Sequence, residues 1–80
     1  MSPYGGKQKL ENSVKEIREA AGLTQEDLAA MVNLSRQSII AIEKGRFTPS
    51  VLSAMTIAEA LNVTVEHLFQ LKKEGQNENI

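Results

Sequence analysis

Residues Gln25 to Lys44 read QEDLAAMVNLSRQSIIAIEK, and the spacing of apolar side chains within them decides the fold. Leu28, Ala29 and Val32 fall at helical spacing, and so do Ile39 and Ile42 a short turn later. Asn33 ends the first of these helices, being one of the few non-glycine residues that tolerate a positive φ. Ser35 stands where the second helix needs an N-cap, and Gly45 where it must stop. Ala29 is small where the two helices approach, while Leu34, Ile39 and Ile42 are apolar and can pin the second helix across the first. The N-terminal face of that second helix, with Arg36, Gln37 and Ser38, is left outside. A B-DNA major groove admits one α-helix, and Arg and Gln can each make bidentate bonds to base edges.

Outward from this stretch the punctuation continues. Thr24 can cap the helix that starts at Gln25, and Glu26 and Asp27 in its first turn complement the helix dipole. An earlier helix is expected from about Ser13 to Ala21, with Ser13 and Glu16 as a capping box and Gly22 as a left-handed stop. Its inner residues are Val14, Ile17 and Ala21. After Gly45, Pro49 and Ser50 open a fourth helix whose expected inner face is Val51, Ala54, Met55, Ala58 and Leu61. Phe47 is expected to plug the space between the third and fourth helices. Thr64 caps a last short helix with Val65, Leu68 and Phe69. The fold class is therefore all-α, with five short helices, short connections and low contact order. Pro3 and Gly5-Gly6 disfavour regular structure before the first helix, and the polar end from Gly75 is expected to fray. The chain thus divides into a flexible arm over 1–8, one domain over 9–72 and a flexible tail over 73–80.

Composition removes several function classes. Eighty residues suffice for one domain and not two, and a core this small is thin. There is no cysteine and a single histidine, His67, so neither a disulfide framework nor a thiolate or multi-histidine metal site can be built. No cofactor is expected. No run of about 18 apolar residues is present and no signal-peptide core follows the start, so a cytoplasmic, nucleoid-associated protein with no membrane partner is expected. Glu26 and Asp27 are adjacent acids, but neighbours on a helix point about 100° apart, which disfavours acid–base catalysis. Gly5-Gly6 lacks the Gly-Lys-Ser/Thr sequel of a phosphate loop. No catalytic constellation can be assembled, and a non-enzyme is expected. The net charge is −1. Acids cluster at Glu16, Glu19, Glu26, Asp27 and the C-terminal end, whereas Arg36, Lys44 and Arg46 outnumber the single acid Glu43 between Ser35 and Thr48.

Several motifs in fixed order give this chain its resemblance to a known family. They are Arg18, Gly22-Leu23-Thr24-Gln25, Leu28-Ala29, Ser35-Arg36-Gln37-Ser38-Ile39, Ile42-Glu43-Lys44-Gly45 and Thr48-Pro49-Ser50, continuing through Leu61-Asn62-Val63 to Leu68-Phe69. From about Val14 to Leu71 the sequence resembles the Cro/C1-type (XRE) helix-turn-helix regulators, and most closely the small cytolysin-repressor-like members. The resemblance implies double-stranded DNA as partner and base reading by Arg36, Gln37, Ile40 and Ala41. It implies phosphate contacts from Gln25, Ser35, Ser38, Lys44, Gly45 and Arg46. It also implies a structural ion pair between Arg18 and Glu43. Two positions depart from the common pattern. Asn33 replaces a frequent glycine, and Ile40-Ala41 are apolar where relatives often carry a polar side chain. Ile40 could touch a thymine methyl and Ala41 offers only a small contact, so sequence discrimination is expected to be modest or to lean on DNA shape.

A second apolar signal lies in the fourth helix and beyond. Leu52 and Ile57 fall outside its expected inner face, and Val65, Leu68, Phe69 and Leu71 prolong the apolar material. A homodimer seam of Leu52, Val65, Leu68, Phe69 and Leu71 is one reading. The resemblance adds a small terminal β-ribbon, Lys9–Glu11 against Phe69–Lys72, and on the other reading that ribbon only closes the core of a single chain. A homodimeric repressor of a pseudo-palindromic operator is the expected function. A DNA-binding antitoxin and a protein-interaction adaptor on the same fold are the alternatives. No small-molecule effector is expected.

Overall fold

Helix starts leave backbone N–H groups without partners, and polar side chains just upstream answer them here. A computed structural model of the chain describes residues 8–73. Strand β1 (Gln8–Asn12) leads into helices α1 (Val14–Ala20), α2 (Gln25–Val32), α3 (Arg36–Glu43), α4 (Val51–Ala60) and α5 (Val65–Leu68), and strand β2 (Phe69–Lys73) follows. The two strands pair antiparallel, with Lys9 opposite Lys72 and Leu10 opposite Leu71. The ribbon therefore includes the expected segments and extends them by Gln8, Asn12 and Lys73. Apart from Gln8 and Lys73, the expected arm and tail lie outside the described residues. No helix among the described residues is long and apolar enough to cross a membrane.

The caps explain the boundaries. Thr24 and Asp27 form a reciprocal box, each side chain accepting the other's backbone N–H at 2.9 Å. Ser35, Ser50 and Thr64 accept the N–H groups of Ser38, Ser53 and His67, each at 3.0 Å. Helix α1 departs from expectation, because Ser13 makes no side-chain cap and no box forms with Glu16. Its backbone (φ −117°, ψ 27°) is outside the extended region that aims a capping hydroxyl, and its N–H is held by the Leu68 carbonyl at 2.9 Å. Asn12 supplies the cap instead, its Oδ1 accepting the Val14 N–H at 3.0 Å.

Helices α1, α3 and α4 end in the same way. Gly22, Gly45 and Asn62 take positive φ of 76°, 74° and 61°. The following residues Leu23, Arg46 and Val63 then donate to the carbonyls of Arg18, Ala41 and Ala58 at 2.9–3.1 Å. A Cβ at Gly45 would meet nothing within 4 Å, so glycine is required there for its backbone angle and not for space. Asn33 turns α2 toward α3 at φ 58°, as its place in the sequence predicts.

All five helices feed one core. Val14, Leu28, Ile39, Ile42, Ile57 and Leu68 are fully buried, with Ala29, Val32, Ala58 and Leu61 around them. The inner faces expected of α2 and α3 are the observed ones. That of α4 is rotated: Ile57, Ala58 and Leu61 face inward, while Val51, Met55 and Leu52 are exposed. A helix that is apolar on several faces fits more than one phase, and only its neighbours select one. Ala21 lies beyond the last turn of α1 and is exposed; Arg18 takes the buried position beside Val14. Phe47 is not a plug, being 52% exposed, and Pro49 is the buried residue of that connection.

Candidate nucleic-acid interface

Helix α3 is fixed from beneath by Ile39 and Ile42 and at its C-terminal end by charge. Glu43 accepts Arg18 Nε at 2.6 Å and Nη2 at 3.2 Å, a bidentate pair whose side chains are only 7% and 4% exposed. Arg18 Nη1 also donates to the Leu23 carbonyl at 2.8 Å, just past the end of α1. The hydrogen bond to Glu43 raises the Arg18 pKa above the ordinary arginine value, against the opposing effect of burial. The ion pair expected between these residues is thus present, and it ties α1 to α3.

Gln25 belongs to the same cluster. Its Nε2 donates to Glu43 Oε1 at 3.1 Å, so its amide is directed inward at the α2–α3 junction. Asp27, one of the two adjacent acids, spends its carboxylate on the cap of α2. The backbone N–H of Thr24, and then its hydroxyl, hold the Asp27 carboxyl below the usual carboxylate range.

The outward face of α3 is assembled as follows. Arg36 and Gln37 are exposed in its first turn. Ser35 Oγ donates to Ser38 Oγ at 3.0 Å, tying the two hydroxyls at the helix start. Thr24, Gln25, Glu26 and Arg36 line a polar groove between the starts of α2 and α3. Ile40 and Ala41 are half-buried, so each has part of its surface outside the core. Lys44, Gly45 and Arg46 are exposed just beyond the helix. Eight residues of α-helix span about 12 Å, close to the width of a B-DNA major groove. One exposed base therefore stands at the start of this short helix and two at its end.

The residues expected at a dimer seam separate into three groups. Leu52 and Leu71 are 77% and 67% exposed. Val65 and Phe69 are half-buried against the core. Leu68 is fully buried within the single chain and has no surface for a partner, because the short α5 must turn one side chain into the core to be held at all. Met55, expected inside, instead lies with Leu52, Val63 and Val65 along an open groove between α4 and α5. Phe47, expected as a plug, stands exposed beside Arg46, and the amide of Asn12 at the end of α3 is a feature that sequence reasoning passed over. Asn12 belongs to no periodic pattern that could have drawn attention to it.

Comparison with known proteins agrees with this geometry. The helix-turn-helix family profile matches residues 14–68, from the start of α1 to the end of α5. An uncharacterised helix-turn-helix-type transcriptional regulator of Bacillus subtilis is 42% identical over 66 residues, which cover 82% of this chain and 100% of that protein. The immunity repressor protein of Bacillus phage phi105 is 38% identical over 68 residues, covering 81% of this chain and 47% of the repressor, so the chain spans about half of its length. Among solved structures, the restriction-modification controller protein C.AhdI from Aeromonas hydrophila superposes with a TM-score of 0.65 at 31% identity, over 68% of this chain and 82% of that one. With its tandem helices, exposed α3 face and matching profile, the chain belongs to the Cro/C1-type helix-turn-helix family of DNA-binding transcriptional regulators.

Proposed function

We propose that two copies of the chain act together as a repressor that reads a pseudo-palindromic operator through α3. The observation that carries this reading is the exposed pair Arg36 and Gln37 in the first turn of α3, framed by exposed Lys44 and Arg46 at its far end. Arg36 and Gln37 supply hydrogen bonds to base edges, and Ile40 and Ala41 supply apolar contact. Ser35, Ser38, Lys44, Arg46 and the backbone at Gly45 grip phosphates, with the open side of Gly45 letting backbone approach closely. Gln25 contributes by ordering the α2–α3 junction and by placing its backbone at the phosphate strand. Two-fold pairing through the exposed Leu52 and Leu71 surfaces, with Val65 and Phe69 behind them, would set the two α3 helices one DNA turn apart, about 34 Å. Occupation of such an operator at a promoter blocks polymerase. The phage immunity repressor among the relatives supports the sign of the regulation.

Selection of duplexes from a random DNA pool tests the proposal, with the Arg36→Ala/Gln37→Ala double variant in parallel. An enriched two-fold symmetric site that the double variant fails to enrich is the expected result. Failure of the wild-type chain to enrich any sequence at ~50 mM salt, where phosphate contacts are strongest, would refute it and favour a protein-interaction role.

A further inference from the structure

The side chain of Asn12 joins two elements that lie far apart in sequence. Its Nδ2 donates to the carbonyl of Ile42 at 2.9 Å, in the last turn of α3, while its Oδ1 caps α1 at the Val14 N–H. The Ile42 carbonyl also accepts the Gly45 N–H at 3.0 Å, the bond that turns α3 into the Lys44-Gly45-Arg46 segment. Asn12 therefore fills the second lone pair of the carbonyl on which that turn is built. Next to it, the Ser13 N–H is held by the Leu68 carbonyl at the α5–β2 junction. The base of the ribbon, the start of α1 and the end of α3 meet at these two residues.

We infer that Asn12 is a positioning residue for DNA reading, through which the β-ribbon sets the angle of α3 and of its basic loop. The inference rests on the proposed reading of α3 as the recognition helix. Glu43 is fastened by Arg18 and Gln25, and Ile42 by Asn12, so consecutive residues at one end of α3 are held by separate polar contacts. Among the described residues, the base-reading end is held by the Ser35 cap and apolar packing alone. Small rotations of α3 are thus governed from the end opposite the bases. Electrostatic attraction to phosphates tolerates a small rotation, whereas bidentate base contacts do not. Asn12 accordingly governs discrimination between sequences more than affinity for DNA in general.

The Asn12→Asp variant separates the two bonds. A carboxylate still accepts the Val14 N–H but cannot donate to the Ile42 carbonyl. Amide hydrogen exchange on the free, full-length protein is the first readout. Asn12→Asp is expected to speed exchange at Gly45 and Arg46 while Val14 stays protected, and Asn12→Ala to expose all three. Unchanged exchange at Gly45 and Arg46 would overturn the inference whatever the DNA result. The second readout is the ratio of affinities for a selected operator and for an unrelated duplex, at a temperature where both proteins are fully folded. A fall in that ratio of about tenfold, the scale of one hydrogen bond, is expected for both variants, with non-specific affinity preserved in Asn12→Ala, which adds no charge. An unchanged ratio would reduce Asn12 to a staple of the fold. If the wild-type chain itself fails to discriminate, the repressor reading fails, and the exchange measurement alone still decides whether Asn12 sets the end of α3.

Discussion

Substituting Glu43 by glutamine tests how far the fold depends on the internal ion pair. The carboxylate accepts three donors, Arg18 Nε at 2.6 Å, Arg18 Nη2 at 3.2 Å and Gln25 Nε2 at 3.1 Å. A carboxamide of the same shape has one acceptor oxygen and turns an NH2 group toward at least one of those donors. It also leaves a guanidinium, 7% exposed, with only the exposed Glu19 carboxylate, 4.0 Å away, as counter-charge. Breaking one side of a buried pair typically costs about 3–5 kcal/mol, and the lower figure applies here because Arg18 keeps its bond to the Leu23 carbonyl. A domain of this length is stable by roughly 4–12 kcal/mol in all, so Glu43→Gln should remove a large share. The midpoint of thermal unfolding, followed by far-UV circular dichroism, should fall by about 12–24 °C. Replacing both partners with apolar residues, Arg18→Leu with Glu43→Leu, should recover most of that loss, since no buried charge is left alone. A loss below about 1 kcal/mol for Glu43→Gln, or strictly additive effects in the double-variant cycle, would show that the pair is screened by water and that this reasoning is wrong.

Three further outcomes can be checked separately. Lys44→Ala and Arg46→Ala should each lower the slope of log affinity against log salt by about 1.8, because a two-fold complex loses two phosphate contacts per substitution; filter binding across a salt series reads this, and an unchanged slope would remove the residue from the interface. Leu52→Glu with Leu71→Glu should yield a folded monomer in analytical ultracentrifugation, since both side chains are more than two-thirds exposed within one chain; a persisting dimer would place the seam elsewhere. Asp27 has a depressed folded-state pKa, so its contribution to stability is present above the ordinary carboxylate value of about 4 and fades as the pH falls through the lower folded value. The stability gap between wild type and Asp27→Asn in urea titrations should therefore narrow in that acidic window, and a constant gap would contradict the cap.

Elements whose apolar residues occupy one face were legible from the sequence. Leu28, Ala29 and Val32 in α2, and Ile39 and Ile42 in α3, lie inside as their spacing dictates. Helix α4 was legible in its existence and its start but not in its rotation, because VLSAMTIAEA carries apolar side chains nearly all round. Packing against α2 and α5 selected Ile57 over Val51 and Met55. Hydroxyl caps were readable wherever the capping residue could take an extended backbone. Ser13 could not, because its N–H is drawn to Leu68, a contact 55 residues away that no local pattern encodes. The same limit hid Asn12, whose partner at Ile42 is also remote, 30 residues away. At the interface, Arg36, Gln37, Lys44 and Arg46 stand exposed where the motif puts them, whereas the inward direction of the Gln25 amide is a consequence of where Glu43 sits.

A net charge of −1 suits a DNA-binding chain poorly until the charges are placed. Between Ser35 and Thr48 the one acid is Glu43, and its carboxylate is enclosed by Arg18 and Gln25 rather than presented to solvent. The exposed charge of that segment is therefore that of Arg36, Lys44 and Arg46 alone. Arg18, the base that neutralises Glu43, is in turn withdrawn from the surface, so the pair subtracts one charge of each sign from what DNA would meet. Of the acids elsewhere, Glu26 lines the groove beside Arg36 at the start of α3 and Asp27 caps α2, whereas Glu16, Glu19, Glu59 and Glu66 lie on other helices and are exposed to water. At physiological salt, charges more than about 8 Å away are largely screened, so a phosphate strand at the end of α3 responds mainly to the bases beside it. The internal ion pair thus has two consequences from one contact: it holds α3 in place, and it withdraws the one carboxylate of residues 35–48, the segment proposed to meet DNA, from where it would repel phosphate.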